Sequence, residues 1–159
     1  MFEEIYHFLP LNENLFTGGM PTTEQLADAA QAGVQVVINL AMPDSEQALK
    51  DESSIVEGLG MQYIGIPVAW EHPRRQELDD FMAAMDAHQG NRVFVHCQAN
   101  FRVTGFVALH RVLRLGWQPD EAFQDVYRIW NPDEYPVWKK FISDNLSTRP
   151  LRPRSSAGQ

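Results

Sequence analysis

The stretch FVHCQANFRVTG, at residues 94–105, brings together the side chains that a thiol-based reaction on an oxyanion needs. Cys97 is the only cysteine of the chain, His96 precedes it, and Arg102 follows after four intervening residues. A thiolate is the nucleophilic form of cysteine, and a guanidinium grips an oxyanion through two parallel N–H bonds. Thr104 could donate a hydroxyl hydrogen bond to the sulfur. A lone cysteine is usually a small core residue, but this combination predicts an oxyanion-binding site.

The segments on either side of the cysteine predict where it lies in the fold. The apolar run NRVFVHC is typical of a buried strand, and VTGFVALHRVLRLG is typical of a helix at the centre of a molecule. The thiol then stands at the carboxyl end of a strand, where open α/β sheets bind ligands. The turn and the helix N-terminus present N–H groups and a partial positive charge to an anion at that position.

The predicted roles of the side chains in this loop follow from the placement of Cys97 at the end of a strand. We expect Cys97 to be the nucleophile and Arg102, with the loop amides, to clamp the oxyanion. We expect His96 to order the loop through hydrogen bonds to backbone rather than to act as a base. The loop residues predicted to contact the substrate are His96, Gln98, Ala99, Asn100, Phe101, Val103 and Thr104. The five histidines show no ligand spacing, so no metal and no cofactor is predicted.

The rest of the chain alternates between strand and helix patterns. VQVVINL and MQYIGIPV have the apolar runs of buried strands, and NLFTGGMPT is predicted to be a short edge strand. TTEQLADAAQAG is predicted to be a helix, with Thr22 and Gln25 at capping-box spacing and Gly33 as its stop. The fold class predicted from this order is α/β: one domain with a mostly parallel central sheet and helices on both faces.

Composition limits the classes of protein that fit. The hydrophobic content of 44% indicates a globular chain, and the net charge of -8 argues against nucleic-acid binding. No apolar run approaches the roughly 20 residues of a membrane span, the N-terminus does not resemble a signal peptide, and one cysteine cannot form an internal disulfide. A cytoplasmic protein is therefore expected, and the sequence does not indicate its oligomeric state. Residues 1–146 are predicted to form the domain, and residues 147–159 a disordered basic tail.

Beyond these patterns, the chain resembles a known family. Its loop resembles the His-Cys-x5-Arg motif of cysteine-dependent protein tyrosine and dual-specificity phosphatases. LFTGGMPTTEQLADAAQAGVQVVINLAMPDSE and LGMQYIGIPVAW are similar to a bacterial branch of that superfamily, related to the phosphatase-like domain of beta-lactamase hydrolase-like proteins. The resemblance covers about residues 14–116. It implies the cysteine-phosphatase fold and metal-independent hydrolysis of a phosphomonoester, on a protein or a small molecule, through a phosphocysteine.

The loop departs from the family motif by one position. An alignment without a gap puts Val103 at the arginine position and Arg102 one residue early, a rotation of about 100° on a helix. We expect the loop to close one residue sooner, so that Arg102 reaches the anion and Val103 joins the core. Asn100 replaces a mid-loop glycine, and asparagine tolerates the left-handed conformation well.

Two other functions stay open because of this spacing. Cys-x4-Arg is also the spacing of the rhodaneses, so a rhodanese-like sulfurtransferase is one alternative. A catalytically inactive anion-binding or adaptor module is the other.

A general acid is harder to predict from the sequence. The resemblance implies an aspartate on the loop after the strand that ends in IPV, but that loop reads PVAWEHPRR. Glu71 is the first carboxylate there and is our candidate for the acid. Asp44 is an alternative that fits a helix cap better. Trp70 could form a wall of the pocket, but a position in the core fits it better.

Overall fold

The computed structural model describes residues 1–150, which form a five-stranded sheet and seven α-helices. Two 3₁₀ helices, Phe2–Glu4 and Pro132–Glu134, are also present. The strands are β1 (Leu9–Asn12), β2 (Leu15–Gly18), β3 (Val36–Asn39), β4 (Gln62–Gly65) and β5 (Val93–His96). The helices are α1 (Thr23–Gln31), α2 (Glu52–Gly58), α3 (Arg75–Ala87), α4 (Phe101–Leu113), α5 (Pro119–Ala122), α6 (Gln124–Ile129) and α7 (Pro136–Leu146).

The strand order is β1-β2-β5-β3-β4, so the strand before the cysteine is at the centre of the sheet. β5 pairs in parallel with both β2 and β3, and β4 pairs in parallel with β3. Of the five described strands, only β1 is antiparallel, to β2. The predicted fold class, a mostly parallel sheet in a single α/β domain, is confirmed.

Successive side chains of the central strands point to opposite faces of the sheet, so the core has two layers. From β5, Val93 and Val95 pack with α3 and α4 on one face, whereas Phe94 packs with α1 and α2 on the other. Strands that are covered on both faces carry apolar residues at nearly every position. This is why VQVVINL and NRVFVHC lack the polar alternation of a half-exposed strand.

The helix after the cysteine is buried on almost all sides. Eleven residues of α4 are buried, and Phe106 lies against the rings of Phe81, Trp138 and Phe141. α1 begins with the predicted capping box, because the Thr22 side chain accepts from the Gln25 amide and the Gln25 side chain accepts from the Thr22 amide. The burial of α4 on almost all sides therefore holds its N-terminus in a rigid frame.

Three local predictions were wrong. The strand in NLFTGGMPT is not an edge strand, because β1 pairs with its outer side. β1 is only four residues long and contains Pro10, which is tolerated at a sheet edge. The pattern of PDEAFQDVYRIW predicts a single helix, but the segment is split at Phe123 into α5 and α6. Asp44 caps none of the described helices, because α2 begins at Glu52 after Asp51.

The end of the chain lies partly beyond this description. Thr148 accepts a hydrogen bond from Arg75 at 3.0 Å and donates one to the Asn145 carbonyl at 2.7 Å. Residues 151–159, most of the tail predicted to be disordered, lie outside the described residues. Within residues 1–150, no helix has the length and apolar character of a membrane span.

Candidate active site

Cys97 lies at the carboxyl end of β5, at a cavity of about 420 Å³. Its residue is 1% exposed, and its backbone N–H donates to the Gly18 carbonyl at 3.3 Å. The residues lining the cavity are Trp70, Cys97, Gln98, Ala99, Phe101, Arg102 and Tyr135. The thiol is thus buried in the protein yet borders a space in which a small group can approach it.

Arg102 lines the same cavity although it is almost fully buried. Its residue is 7% exposed, and its Nη1 donates to the Val68 carbonyl at 2.7 Å. Among residues 1–150, no carboxylate oxygen lies within ion-pair distance of this guanidinium. A guanidinium has five N–H donors, so most of them are available to an oxyanion.

Val103 takes the opposite position. It is fully buried and belongs to the core cluster shared by the sheet, α3 and α4. The structure therefore has the arrangement expected of a loop that closes one residue sooner, with Arg102 in the cavity and Val103 in the core.

Asn100 shapes the loop. Its φ of 68° is in the left-handed region, as expected for the residue that replaces a glycine. Its Nδ2 donates to the His7 carbonyl at 2.9 Å and to Thr17 Oγ1 at 3.0 Å. The side chain therefore holds the turn against the His7 backbone and against β2. It is not among the residues that line the cavity.

The glycines of the LFTGGMPT segment allow β2 to approach this loop. A Cβ at Gly19 would lie 2.5 Å from the Gln98 carbonyl oxygen, which is closer than any side chain permits. With glycine there, the Met20 N–H donates to that carbonyl at 3.0 Å. His7 Nδ1 lies 2.9 Å from the Ala99 carbonyl, to which it donates. The Gln98 and Ala99 carbonyls are thereby held by protein donors.

Thr104 does not bond the sulfur, and that prediction was wrong. Its hydroxyl donates to the Asn100 carbonyl at 2.8 Å, with the Phe101 carbonyl at 3.1 Å, and it accepts from Trp130 Nε1 at 2.9 Å. Threonine in the first turn of a helix commonly bonds the carbonyl four residues back. Its single hydroxyl hydrogen is therefore committed to the backbone.

His96 points away from the cavity, toward a carboxylate that the sequence did not reveal. The ring is fully buried, and its Nε2 lies 2.6 Å from Glu52 Oε2. Its Nδ1 lies 3.4 Å from the Cys97 carbonyl oxygen, in agreement with the loop-ordering role expected of it. Glu52 precedes His96 by 44 residues, and no motif connects the two.

Aromatic side chains form the walls of the cavity. Phe101 stacks on Trp130 at 4.8 Å between ring centroids, and Trp70 stacks on Trp138 at 5.4 Å. Trp138 Nε1 also donates to the Trp70 carbonyl at 2.7 Å, which fixes the loop that carries Trp70. Tyr135 completes the wall and lies edge-on to Trp70 at 5.3 Å. The sequence favoured a core position for Trp70 over a wall of the pocket, and it gave no indication of Tyr135.

The first turn of α4 supplies further donors. Within the described residues, the backbone N–H groups of Phe101 and Arg102 have no hydrogen-bond acceptor. Unpaired N–H groups and the helix dipole together favour an anion at a helix N-terminus. Phe101 and Arg102, which carry these two N–H groups, both line the cavity.

The structure does not bring every predicted residue to the cavity. Cys97, Gln98, Ala99, Phe101 and Arg102 line it. The side chains that face elsewhere are those of His96, Asn100, Val103 and Thr104. Glu71 is exposed and borders a neighbouring cavity of about 320 Å³ with His72 and Lys140. No carboxylate is among the residues that line the Cys97 cavity in the described part of the chain.

Comparisons with known proteins show which proteins the chain is similar to. The family model for DSP-PTPase phosphatase fused to NAD+ kinase matches residues 9–129. The chain is 28% identical over 116 residues to the beta-lactamase hydrolase-like protein of Xylella fastidiosa strain Temecula1, a match that covers 70% of this chain and 26% of the relative. The chain thus spans about a quarter of the length of the curated relatives it matches.

Solved structures show the same fold. A DUF442 protein of Shewanella putrefaciens CN-32 superposes with a TM-score of 0.84 at 35% identity, over 92% of this chain and 93% of that one. P. aeruginosa TpbA, crystallised in complex with pTyr, superposes with a TM-score of 0.68 at 13% identity, over 89% of this chain and 88% of that one. The second likeness concerns the fold alone.

Proposed function

The chain belongs to the family of DSP-PTPase phosphatases fused to NAD+ kinase, and from that premise we propose that it hydrolyses a phosphomonoester with Cys97 as the nucleophile. The observation that carries the proposal is Arg102, a buried guanidinium without a carboxylate partner in residues 1–150, in the cavity that Cys97 borders. Burying an unpaired charge costs several kcal/mol. A bound oxyanion would supply the missing partner.

The proposed reaction has two steps. The Cys97 thiolate attacks phosphorus in line, so that an S–P bond forms while the bond from phosphorus to the leaving oxygen breaks. Arg102 and the N–H groups of the α4 N-terminus hold the phosphoryl oxygens as charge develops on them. A water molecule then attacks phosphorus, the S–P bond breaks, and inorganic phosphate leaves with the thiolate restored.

The leaving oxygen needs a proton, and Tyr135 is placed best to give it. Among the described residues that line the cavity, it carries the one ionisable group apart from Cys97 and Arg102. Glu71, the acid expected from the chain order, borders the adjacent cavity and would have to turn toward the site. We therefore propose the Tyr135 hydroxyl as the donor and keep Glu71 as the competing candidate.

The shape of the site fits a phosphate on a flat group. Trp70, Phe101 and Tyr135 offer apolar walls beside the thiol, and an aryl ring packs well against such faces. The relative TpbA was crystallised with pTyr, which supports an aryl phosphate as the first substrate to test. We propose a phosphorylated protein or small molecule as the natural substrate.

A sulfurtransferase is the second candidate, and one observation favours it. Arg102 reaches the cavity across the four intervening residues of a Cys-x4-Arg loop, the spacing that resembles rhodaneses. The same assays must therefore include transfer of sulfur from thiosulfate to cyanide.

The test compares wild type with Cys97→Ser and Arg102→Met on p-nitrophenyl phosphate in the presence of a chelator. We expect Cys97→Ser to abolish turnover, and Arg102→Met to reduce kcat by about 100-fold or more, as for loss of an oxyanion donor. Arg111→Met is the matched control, because Arg111 is equally buried on α4 but pairs with Asp125. It should lower stability without changing kcat.

Three results would contradict the proposal. Equal phosphatase rates in wild type and Cys97→Ser would exclude a phosphocysteine. Sulfur transfer by wild type without phosphatase activity would replace the proposal by the sulfurtransferase. Phosphate protection of Cys97 from alkylation, with neither activity, would indicate an anion-binding module.

A further inference from the structure

The structure assigns a positioning role to Glu52, an inference that rests on the proposed function. Glu52 is a carboxylate that is only 5% exposed, on α2, and it lies behind the cysteine loop rather than in the cavity. Buried carboxylates are rare and costly unless they are paired and hydrogen-bonded. Glu52 has two such partners, His96 and Asn39, and the first of them adjoins Cys97.

The first partner is His96. Glu52 Oε2 lies 2.6 Å from His96 Nε2, the short distance of a strong hydrogen bond between largely buried groups. One hydrogen lies between these two atoms, and a carbonyl oxygen can only accept, so the ring nitrogen that faces the Cys97 carbonyl must carry a hydrogen of its own. The contact with Glu52 fixes the ring orientation, and thereby aims this second N–H group at the carbonyl.

The other ring nitrogen faces the nucleophile's own residue. His96 Nδ1 lies 3.4 Å from the Cys97 carbonyl oxygen. That carbonyl is therefore directed to the buried imidazole, which does not line the cavity. A carbonyl oxygen that turned toward the cavity would repel a phosphoryl group there, so we infer that the Glu52–His96 pair keeps the loop in its anion-accepting orientation.

One further contact holds Glu52 itself. Asn39, at the end of β3, has its Nδ2 3.3 Å from Glu52 Oε1 and 3.2 Å from the Tyr63 hydroxyl oxygen. Asn39 is in turn fixed, because its Oδ1 accepts from the Ala41 N–H at 2.8 Å. Burial raises the pKa of Tyr63, an effect that the Asn39 hydrogen bond opposes and the nearby Glu52 charge reinforces.

The strand register explains why these residues meet. Asn39 of β3 pairs with His96 of β5 and with Gly65 of β4, so the carboxyl ends of three adjacent strands lie together. Glu52 at the start of α2 reaches over these ends. The sheet therefore determines the positions of Asn39 and His96 in this network. Glu52 alone comes from a helix, so it can be substituted without changing a residue of the cysteine loop.

The test measures kcat and KM for p-nitrophenyl phosphate in Glu52→Ala, Glu52→Asp and Glu52→Gln, well below each variant's unfolding temperature. We expect Glu52→Ala to lower kcat by about 10- to 100-fold, the range found for groups that orient metal ligands from the outer shell. Glu52→Asp keeps the charge but shortens the side chain by one methylene, and we expect it to lose turnover too. Glu52→Gln keeps the length, and its amide can donate to Nε2 while Nδ1–H bonds the Cys97 carbonyl, so it should retain most of the turnover.

Glu77→Ala is the matched control for stability. Glu77 is also buried and hydrogen-bonded, but it pairs with Arg74 at the start of α3. We expect this variant to lower the unfolding temperature and leave kcat unchanged. If Glu52→Ala does not fold, the contrast between Glu52→Asp and Glu52→Gln still decides the question.

The outcomes separate this inference from the proposed function. Wild-type kcat in Glu52→Ala and Glu52→Asp, or an equal loss in Glu77→Ala, would overturn the positioning role while the phosphatase stands. Equal losses of turnover in Glu52→Gln and Glu52→Asp would overturn it as well. They would show that a side chain of the right length to bond His96 gives no advantage over a shorter one. Wild-type protein without turnover and without vanadate protection of Cys97 from iodoacetamide would overturn the proposed function first.

Discussion

At the scale of single residues, Tyr135 and Glu71 are the two candidates for the source of the leaving-group proton in the proposed reaction. We expect Tyr135→Phe to slow hydrolysis of alkyl phosphates much more than that of p-nitrophenyl phosphate. A good leaving group departs without a proton, whereas an alkoxide requires one. The measurement is kcat/KM across a series of leaving groups. Phenylalanine keeps the aromatic wall, so packing is matched.

Glu71→Gln is the comparison for this series. If Glu71→Gln steepens the dependence on the leaving group and Tyr135→Phe does not, the acid is Glu71, as the chain order suggested. The loop that carries Glu71 would then have to move in spite of the Trp138 bond to the Trp70 carbonyl.

The residues that could be predicted are those that share one segment. Cys97, Arg102 and the turn between them follow directly from strand, loop and helix in residues 94–105, and Asn100 was expected in its left-handed conformation. Glu52 and Tyr135 could not be predicted, because they reach the site from 45 residues before and 38 residues after Cys97. Only the pairing of strands and the packing of helices decides which distant side chains meet there.

At the scale of elements, the packing of α3 against α4 carries a pH dependence. Burial lowers the pKa of His110 on α4, and the charges of Arg114 and Arg111 add to this, although the hydrogen bond and charge of Asp86 on α3 oppose it. The unfolded chain, with a histidine pKa near 6.5, then binds a proton more readily than the folded one. Stability is therefore lost as pH falls below that value.

We expect the free energy of unfolding to fall more steeply in wild type than in His110→Gln between pH 7.5 and pH 5.5, by at most about 1.4 kcal/mol per pH unit for one proton. The glutamine amide would keep a donor for Asp86 but would not titrate. Urea denaturation followed by circular dichroism at several pH values measures this. Parallel curves for the two proteins would show that His110 does not contribute.

Elements with a clear local sequence pattern could be predicted, whereas elements without such a pattern could not. α1, with its capping box, and the buried strands β3 and β5 have patterns long enough to identify them. β1 is as short as β3 and β5, but it contains a proline in place of a continuous apolar run, and it pairs because β2 offers it a free edge. Phe123, at the break between α5 and α6, is buried in the core together with Val126. Tertiary contacts, rather than local propensity, determine such elements.

At the scale of the whole molecule, the predicted domain of residues 1–146 can be tested by truncation. We expect a protein ending at Pro150 to unfold at the same temperature as the full chain. A protein ending at Leu146 should lose about 1 kcal/mol, because Thr148 no longer accepts from Arg75 or bonds Asn145. Both should keep wild-type kcat. Loss of turnover in either truncated protein would show that the functional unit extends past residue 146.

The aromatic wall has a consequence for how the molecule interacts with light. Three of the four tryptophans, Trp70, Trp130 and Trp138, have ring centroids within 6.0 Å of one another, and Trp70 also lines the cavity. Indoles at such distances share their electronic excitation, so the ultraviolet emission and the near-ultraviolet dichroism of the chain originate largely beside Cys97. The fourth, Trp117, lies under the Arg111 guanidinium at 4.4 Å, elsewhere on the molecule. Occupation of the cavity therefore has an intrinsic optical readout, for which no dye has to be attached.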